Sequence, residues 1–149
     1  MLESTPRHPF LEGLSRHRGA PATVIVIFGA SGDLNARKLT PALYNLAVDN
    51  LLPTRWQLIG FGRKAIPDDA FREEARNNLE TFSRRPLRSE IWDGFAPHLT
   101  YLQGNYDDPE AFESVRQRVE KIEHERNRDF QTVFYISTPP SVFKPILEN

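Results

Sequence analysis

The chain has 149 residues, a formal net charge of −1 and 39% hydrophobic residues, which is enough for one domain with a sizeable core and not for two. The near-neutral charge argues against nucleic acid or an anionic membrane as a partner. The sequence contains no cysteine, which excludes disulfides, thiolate metal sites and a cysteine nucleophile. Because the sequence shows neither a membrane-spanning apolar run nor a secretory signal, we expect a cytoplasmic protein.

Residues 1–22 show no sustained hydrophobic periodicity, and we predict that they form a disordered tail. His8 and His17 lie in this tail without a carboxylate or cysteine pattern around them. A solvated tail explains both histidines better than metal ligation does, and no metal site is predicted.

The segment Thr23–Phe28 is an unbroken, mostly β-branched apolar run, typical of a strand buried on both faces of a parallel sheet. Residues 29–32, Gly-Ala-Ser-Gly, follow this strand. A helical pattern comes next, with an apolar stripe at Leu39, Ala42, Leu43, Leu46 and Ala47. Strand, glycine turn and helix open a nucleotide-binding βαβ unit, in which the helix N–H groups face a pyrophosphate. A glycine pair after a strand is also compatible with a simple tight turn.

The next apolar run, Trp56–Arg63, predicts a second strand that ends in the cations Arg63 and Lys64. Folds of this kind that prefer NAD usually place an acid here, where it bonds the ribose 2′-OH. The nearest acids are Asp68 and Asp69, whereas a guanidinium binds phosphate in bidentate fashion. The strand end therefore favours NADP, with a solvated Arg-Lys pair as the alternative.

The rest of the chain continues to alternate between helices and strands. Helices are predicted from 67 to 82, from 89 to 95 and after an Asp108-Pro109 start, with strands at 99–104 and 132–137 and a last helix capped by Ser141. Asn105 and Tyr106 follow the third strand, where they either border a ligand or only form a turn. His98 and the charged face of residues 120–128 are assigned no function.

The alternation predicts an α/β fold, a Rossmann-type doubly wound parallel sheet that is incomplete, with four strands and their helices. The expected strand order is 3-2-1-4, with the switch point between the first and fourth strands. Residues 29–33 and 137–139 would then lie on opposite sides of one crevice.

Several of these segments together resemble the start of glucose-6-phosphate dehydrogenase. The similar residues are 29–34 (GASGDL), 37–39 (RKL), 41–46 (PALYNL), 59–63 (IGFGR), 104–108 (GNYDD) and 134–143 (FYISTPPSVF). The resemblance implies an NADP-dependent oxidoreductase that takes hydride from C1 of glucose 6-phosphate, giving the lactone and NADPH. This is the entry step of the oxidative pentose phosphate pathway, and the full-length enzyme is expected to be a homo-oligomer.

The resemblance also implies roles for individual residues. The coenzyme phosphates would be held by residues 29–34, namely Gly29, Ala30, Ser31, Gly32, Asp33 and Leu34. Arg63 would hold the 2′-phosphate, and Lys38 is a second-rank candidate. Asn105 and Tyr106 would lie near the adenine, and Thr138 and Pro139 toward the nicotinamide.

The sequence departs from the family in small ways and in one large way. Asn35 stands where alanine is usual, so looser packing and a neutral or stabilising Asn35→Ala substitution are expected. Ser137 replaces a more usual alanine, and Phe143 a tyrosine of some members. The family's substrate and catalytic motif, R-I-D-H-Y-L-G-K-E, does not occur in the sequence.

We therefore expect residues 23–149 to be the coenzyme domain of the enzyme, truncated before the substrate domain. The catalytic residues and the binding of glucose 6-phosphate would belong to that missing domain, so the chain alone should be inactive. The alternative is a free-standing, non-catalytic NAD(P)-binding module with a regulatory or redox-sensing role.

Overall fold

The computed structural model describes residues 20–149, so most of the predicted tail lies outside the described residues. Its centre is a four-stranded parallel sheet in the order β3-β2-β1-β4. The strands are β1 Thr23–Phe28, β2 Trp56–Gly62, β3 Leu99–Gln103 and β4 Gln131–Ile136. The predicted fold class and strand order are both confirmed, and the last strand begins one residue earlier than the sequence pattern indicated.

Five α-helices connect or follow the strands: α1 Thr40–Val48, α2 Asp68–Phe82, α3 Ser89–Phe95, α4 Pro109–Arg126 and α5 Phe143–Glu148. The start of α4 is as predicted, because the Asp108 side chain accepts a hydrogen bond from the Glu110 amide and Pro109 needs no donor. The start of α5 differs. A 3₁₀ turn at Pro140–Val142 leads into it, and no side chain caps it, so the predicted Ser141 cap is wrong.

Strands β1 and β2 bury both of their faces, as an unbroken apolar run predicts, whereas β4 is largely exposed. On β1, Val24, Val26 and Phe28 pack in the cluster that α4 covers, whereas Ile27 packs in the cluster under α1, α2 and α3. The sheet is thus the middle of three layers. Among residues 20–149, no helix is long and apolar enough to cross a membrane.

The buried face of helix α1 overlaps only in part with the predicted apolar stripe, of which Leu39, Leu43 and Ala47 pack against the core. Thr40, Pro41 and Tyr44 are buried, whereas Ala42 and Leu46 are exposed. The cause is a π-helical turn at Asn35–Leu39, which precedes α1 and breaks the regular period of 3.6 residues. This turn lets Pro41 stand at the start of α1, where its missing N–H costs no hydrogen bond.

Candidate functional site at the carboxyl edge of the sheet

The turn after β1 is shaped by the close approach of β4. Gly29 has φ +83°, and a Cβ on it would lie 2.3 Å from the carbonyl oxygen of Ser137. The Ser137 amide in turn donates to the Phe28 carbonyl at 2.9 Å. Gly29 is therefore required by the fold itself, since any side chain there would separate the ends of β1 and β4.

Gly32, the second glycine of the turn, is less confined than Gly29. A Cβ on it would meet only the Gly29 carbonyl oxygen, at 3.1 Å. The Gly32 carbonyl accepts from the Ala36 amide at 3.2 Å, so the first helical turn begins directly after this residue. The amides of Asp33 and Leu34 are thus first-turn amides, which have no partner within a helix and form an anion-binding end.

Asn35 lies at the base of this turn and is well packed. It is 4% exposed, its Nδ2 donates to the Ala30 carbonyl at 2.7 Å, and its Oδ1 accepts from the Thr40 hydroxyl at 3.2 Å. The expectation of looser packing is wrong, because the amide side chain ties the glycine turn to the first residue of α1.

The end of β2 is joined to the glycine turn. The amides of Gly29 and Ala30 both donate to the Phe61 carbonyl, at 2.9 and 3.1 Å. Arg63, two residues later, is exposed, and its carbonyl accepts from the Gln103 amide group at 3.2 Å. The backbone at the end of β2 is therefore hydrogen-bonded on both sides, to the turn after β1 and to β3. The exposed Arg63 side chain extends from this backbone.

Tyr106 shows that the ends of β1, β2 and β3 meet at one place. Burial raises the pKa of its hydroxyl, and the Arg63 charge and the Gly29 backbone oppose that rise. Its ring lies 5.8 Å from that of Phe61. Tyr106 is thus close to two predicted cofactor residues, whereas Asn105 is exposed and accepts from the Asp108 amide through its carbonyl.

The end of β4 forms the other side of the crevice. A Cβ on Gly29 would lie 3.1 Å from Cγ2 of Thr138. The hydroxyl oxygens of Ser137 and Thr138 are buried and have no hydrogen-bond partner among residues 20–149. Such polar atoms fit a site that hydrogen-bonds a polar ligand. Pro139 is exposed beside them, and its carbonyl accepts from the Val142 amide.

Two other predicted residues point to the solvent side of the first helical turn. Lys38 is exposed on the π-helical turn. Asp33 is exposed, and its Oδ1 accepts from Nε of Arg37 at 2.8 Å, so its charge is partly balanced. A polar hollow of about 380 Å³ opens beside them, between the glycine turn and α2, lined by Ala30, Ser31, Gly32, Asp33, Ala36, Glu74, Asn77 and Asn78.

Tyr101 on β3 lies over the end of β2, a placement that the sequence analysis did not predict. A Cβ on Gly62 would lie 2.7 Å from its hydroxyl oxygen and 3.2 Å from Oγ of Ser31. The signal was available in β2, where Gly60 and Gly62 stand two residues apart on one face. Glycines so spaced in a strand indicate that something large lies across that face, and here it is the Tyr101 side chain.

The fold and the residues at the carboxyl edge of the sheet together indicate the class of protein. A parallel sheet with a glycine turn, a helix start and unpartnered polar atoms at the switch point is the arrangement of a Rossmann-type dinucleotide-binding domain. Residues 26–149 match the family described as glucose-6-phosphate dehydrogenase, NAD binding domain. The chain belongs to this family, which confirms the resemblance seen in the sequence.

Relatives and solved structures agree with this assignment. The chain is 37% identical over 130 residues to glucose-6-phosphate 1-dehydrogenase of Chlamydia muridarum, covering 87% of this chain and 26% of the relative. It is 35% identical over 125 residues to glucose-6-phosphate 1-dehydrogenase 2 of Mycobacterium tuberculosis, covering 84% and 24%. The chain thus spans about a quarter of the length of these relatives.

Solved structures match this chain over a similar share of its length. A glucose-6-phosphate dehydrogenase structure in complex with its substrate glucose 6-phosphate superposes with a TM-score of 0.77 at 30% identity, covering 86% of this chain and 26% of that one. The enzyme from Mycobacterium avium superposes with a TM-score of 0.73 at 26% identity, again over 86% and 26%.

Proposed function

We propose that the chain binds NADP at the carboxyl edge of its sheet and serves as the coenzyme domain of a glucose-6-phosphate dehydrogenase. In that enzyme D-glucose 6-phosphate is oxidised to the lactone with reduction of NADP+. The carrying observation is the position of Arg63. It follows β2, whose end is hydrogen-bonded to the glycine turn, where a dinucleotide fold places its ribose-recognising residue.

Different residues would bind different parts of the dinucleotide. The first-turn amides after Gly32 would hold the pyrophosphate, because the helix start offers N–H donors and a positive dipole end. Arg63 would pair with the 2′-phosphate, and Asn105 and Tyr106 would border the adenine. Thr138 and Pro139 would lie toward the nicotinamide, which supplies the hydride acceptor when NADP is bound. Lys38 remains a second-rank contact.

The domain assignment follows from the same argument. Residues 23–149 form the proposed coenzyme domain, with 1–22 as the proposed tail. Glucose 6-phosphate, the general base and the contacts of a homo-oligomer would belong to parts of the enzyme outside these 149 residues, because the R-I-D-H-Y-L-G-K-E motif does not occur in them. A cytoplasmic location fits such an enzyme. The second candidate, a non-catalytic sensor module, shares the same crevice and would lack the substrate-binding part.

The Gly32→Val substitution tests the crevice. We expect it to abolish binding of NADP and NAD alike, because the side chain would stand before the helix start, in the place proposed for the pyrophosphate, and its Cβ would meet one backbone atom, the Gly29 carbonyl oxygen at 3.1 Å. Gly94→Val is the matched control, since Gly94 is exposed on α3 and a Cβ on it meets nothing within 4 Å. Calorimetric titration measures both variants, and an unchanged affinity of Gly32→Val would remove this turn from the site.

A further inference from the structure

Asn35 is a buried polar side chain whose hydrogen bonds reach back into the glycine turn. Its Nδ2 donates to the Ala30 carbonyl at 2.7 Å, and its Oδ1 accepts from the Thr40 hydroxyl at 3.2 Å. The Thr40 amide also donates to the Asn35 carbonyl, in the π-helical pattern. Because a carbonyl oxygen can only accept, the Asn35 amide has one orientation that serves both partners. Asn35 thus connects Ala30 to the first residue of α1.

Ala30 and Ser31 are the central residues of a β-turn. The Gly32 amide donates to the Gly29 carbonyl at 3.0 Å, which closes the four residues. Type I and type II turns differ in the direction of the central peptide, and type II requires a positive φ at the third residue. Ser31 does not have a positive φ. The bond from Asn35 to the Ala30 carbonyl therefore holds the central peptide in a direction other than that of type II.

The direction of this central peptide decides where the Ser31 amide points. The peptide is trans, so its carbonyl and its N–H point in opposite directions. Since the Ala30 carbonyl is turned toward the buried Asn35 side chain, the Ser31 N–H is turned away from it. No backbone carbonyl among residues 20–149 accepts from that amide. Were the peptide rotated, a carbonyl oxygen would take the place of this free donor.

We infer that Asn35 is a positioning residue, which keeps the glycine turn in one conformation before any cofactor binds. The inference rests on the proposed function, because it concerns how the turn is prepared for a dinucleotide. Asn35 does not touch the ligand and acts through the Ala30–Ser31 peptide. A turn that is already ordered avoids the cost of ordering on binding. NADP and NAD share the pyrophosphate, so both should benefit equally.

The test is calorimetric titration with NADP+ and with NAD+. Asn35→Ala should weaken the binding of both by the same factor, about 3- to 10-fold, as the loss of one hydrogen bond implies. Asn35→Asp is a second variant, because it keeps an acceptor for Thr40 and replaces the donor to Ala30 with an acceptor. We expect the same equal loss from it. Circular dichroism at the titration temperature checks that each variant is folded.

Thr40→Val is the matched control. It removes the other side-chain hydrogen bond of Asn35 and leaves the bond to Ala30. It should therefore lower the free energy of unfolding, measured by urea, while both affinities stay within about 2-fold. A network that only stabilised the fold would give Asn35→Ala and Thr40→Val the same effect on binding.

A double-mutant cycle with Ser31→Gly tests the conformational argument. Glycine accepts a positive φ, so this substitution opens type II geometry to the turn. Asn35→Ala should then weaken binding by a larger factor in the Ser31→Gly background than in the unmodified chain.

Four results overturn the inference: equal factors in the two backgrounds, unequal losses of the two cofactors, unchanged affinity in the Asn35 variants, or an equal loss in Thr40→Val. If the unmodified chain binds neither cofactor, the proposed function fails and the inference fails with it. If it binds them and the Asn35 variants bind as tightly, the inference alone fails.

Discussion

At the scale of single residues, Gly29 and Gly32 have different roles, although the sequence motif suggests the same role for both. Gly29 is fixed by the neighbouring strand, since its Cβ would collide with the Ser137 carbonyl at 2.3 Å. Gly32 is fixed by nothing comparable in the fold. Substitutions at Gly29 therefore test folding, and only substitutions at Gly32 test the ligand site.

Arg63 carries the proposed choice of cofactor. Arg63→Ala should weaken NADP binding by about 1–3 kcal/mol, because a charge-assisted bond to phosphate is lost, and change NAD binding little. Lys64→Ala is the control, since Lys64 is the adjacent exposed cation and its loss changes the net charge equally. Titration of both variants with both cofactors gives the comparison. An equal loss of the two cofactors in Arg63→Ala would contradict the 2′-phosphate role.

Asn35 holds the glycine turn to α1, which reverses the expectation from sequence. Asn35→Ala should destabilise the chain by about 1–3 kcal/mol, because the Ala30 carbonyl and the buried Thr40 hydroxyl lose their partner. Asn77→Ala serves as the control, because Asn77 is exposed on α2, and it should change the free energy of unfolding little. Urea unfolding measures both, and a neutral Asn35→Ala would show that the two hydrogen bonds contribute nothing net.

At the scale of elements, the strands could be predicted, whereas the buried face of α1 could be predicted only in part. Apolar runs such as Thr23–Phe28 are continuous because both faces of a parallel strand are buried, so the signal needs no knowledge of neighbours. The face of α1 depends on the π-helical turn at Asn35–Leu39, in which the buried Asn35 side chain bonds the Ala30 carbonyl. Those contacts exist only in the folded chain, and a periodic pattern does not encode them.

The candidate site, too, could be predicted from the sequence only in part. The glycine turn and Arg63 could be located because strand ends are visible in the sequence. The pairing of Gly60 with Tyr101 depends on the register between β2 and β3, which no local pattern sets. The position of Tyr101 across the glycines of β2 was therefore found only in the structure.

The junction before β3 makes stability depend on pH through His98. The ring stacks on Trp56 with centroids 4.6 Å apart, and Nδ1 lies 2.7 Å from the Trp56 carbonyl oxygen. Burial lowers the pKa of His98 from 6.5; the hydrogen bond to Trp56 opposes this, and the Arg126 charge adds to it. The folded state thus resists protonation more than the unfolded state does.

The free energy of unfolding should consequently be full above pH 6.5, the unfolded pKa, and fall as the pH is lowered through this value toward the folded pKa. His98→Asn is the comparison, because its amide nitrogen stands near the position of Nδ1 and does not titrate. Urea unfolding from about pH 7.5 to about pH 5 should show a steeper loss in the unmodified chain than in the variant. Parallel slopes would exclude His98 as the cause.

At the scale of the whole molecule, the β4 edge of the sheet differs from the carboxyl edge, where the candidate site lies. Among residues 20–149, β4 pairs only with β1, and Phe134 on it is 59% exposed. An apolar groove of about 500 Å³ runs between β4, α4 and α5. The proposed dinucleotide contacts, in contrast, come from residues at or just after the ends of all four strands.

The central claim is that this sheet edge binds NADP in preference to NAD. The direct measurement is calorimetric titration of the purified chain with NADP+ and then with NAD+. We expect NADP+ to bind more tightly by about 10-fold or more, the factor that 1.4 kcal/mol of phosphate recognition gives. Equal affinities, or no binding of either cofactor by a chain that melts cooperatively, would contradict the account.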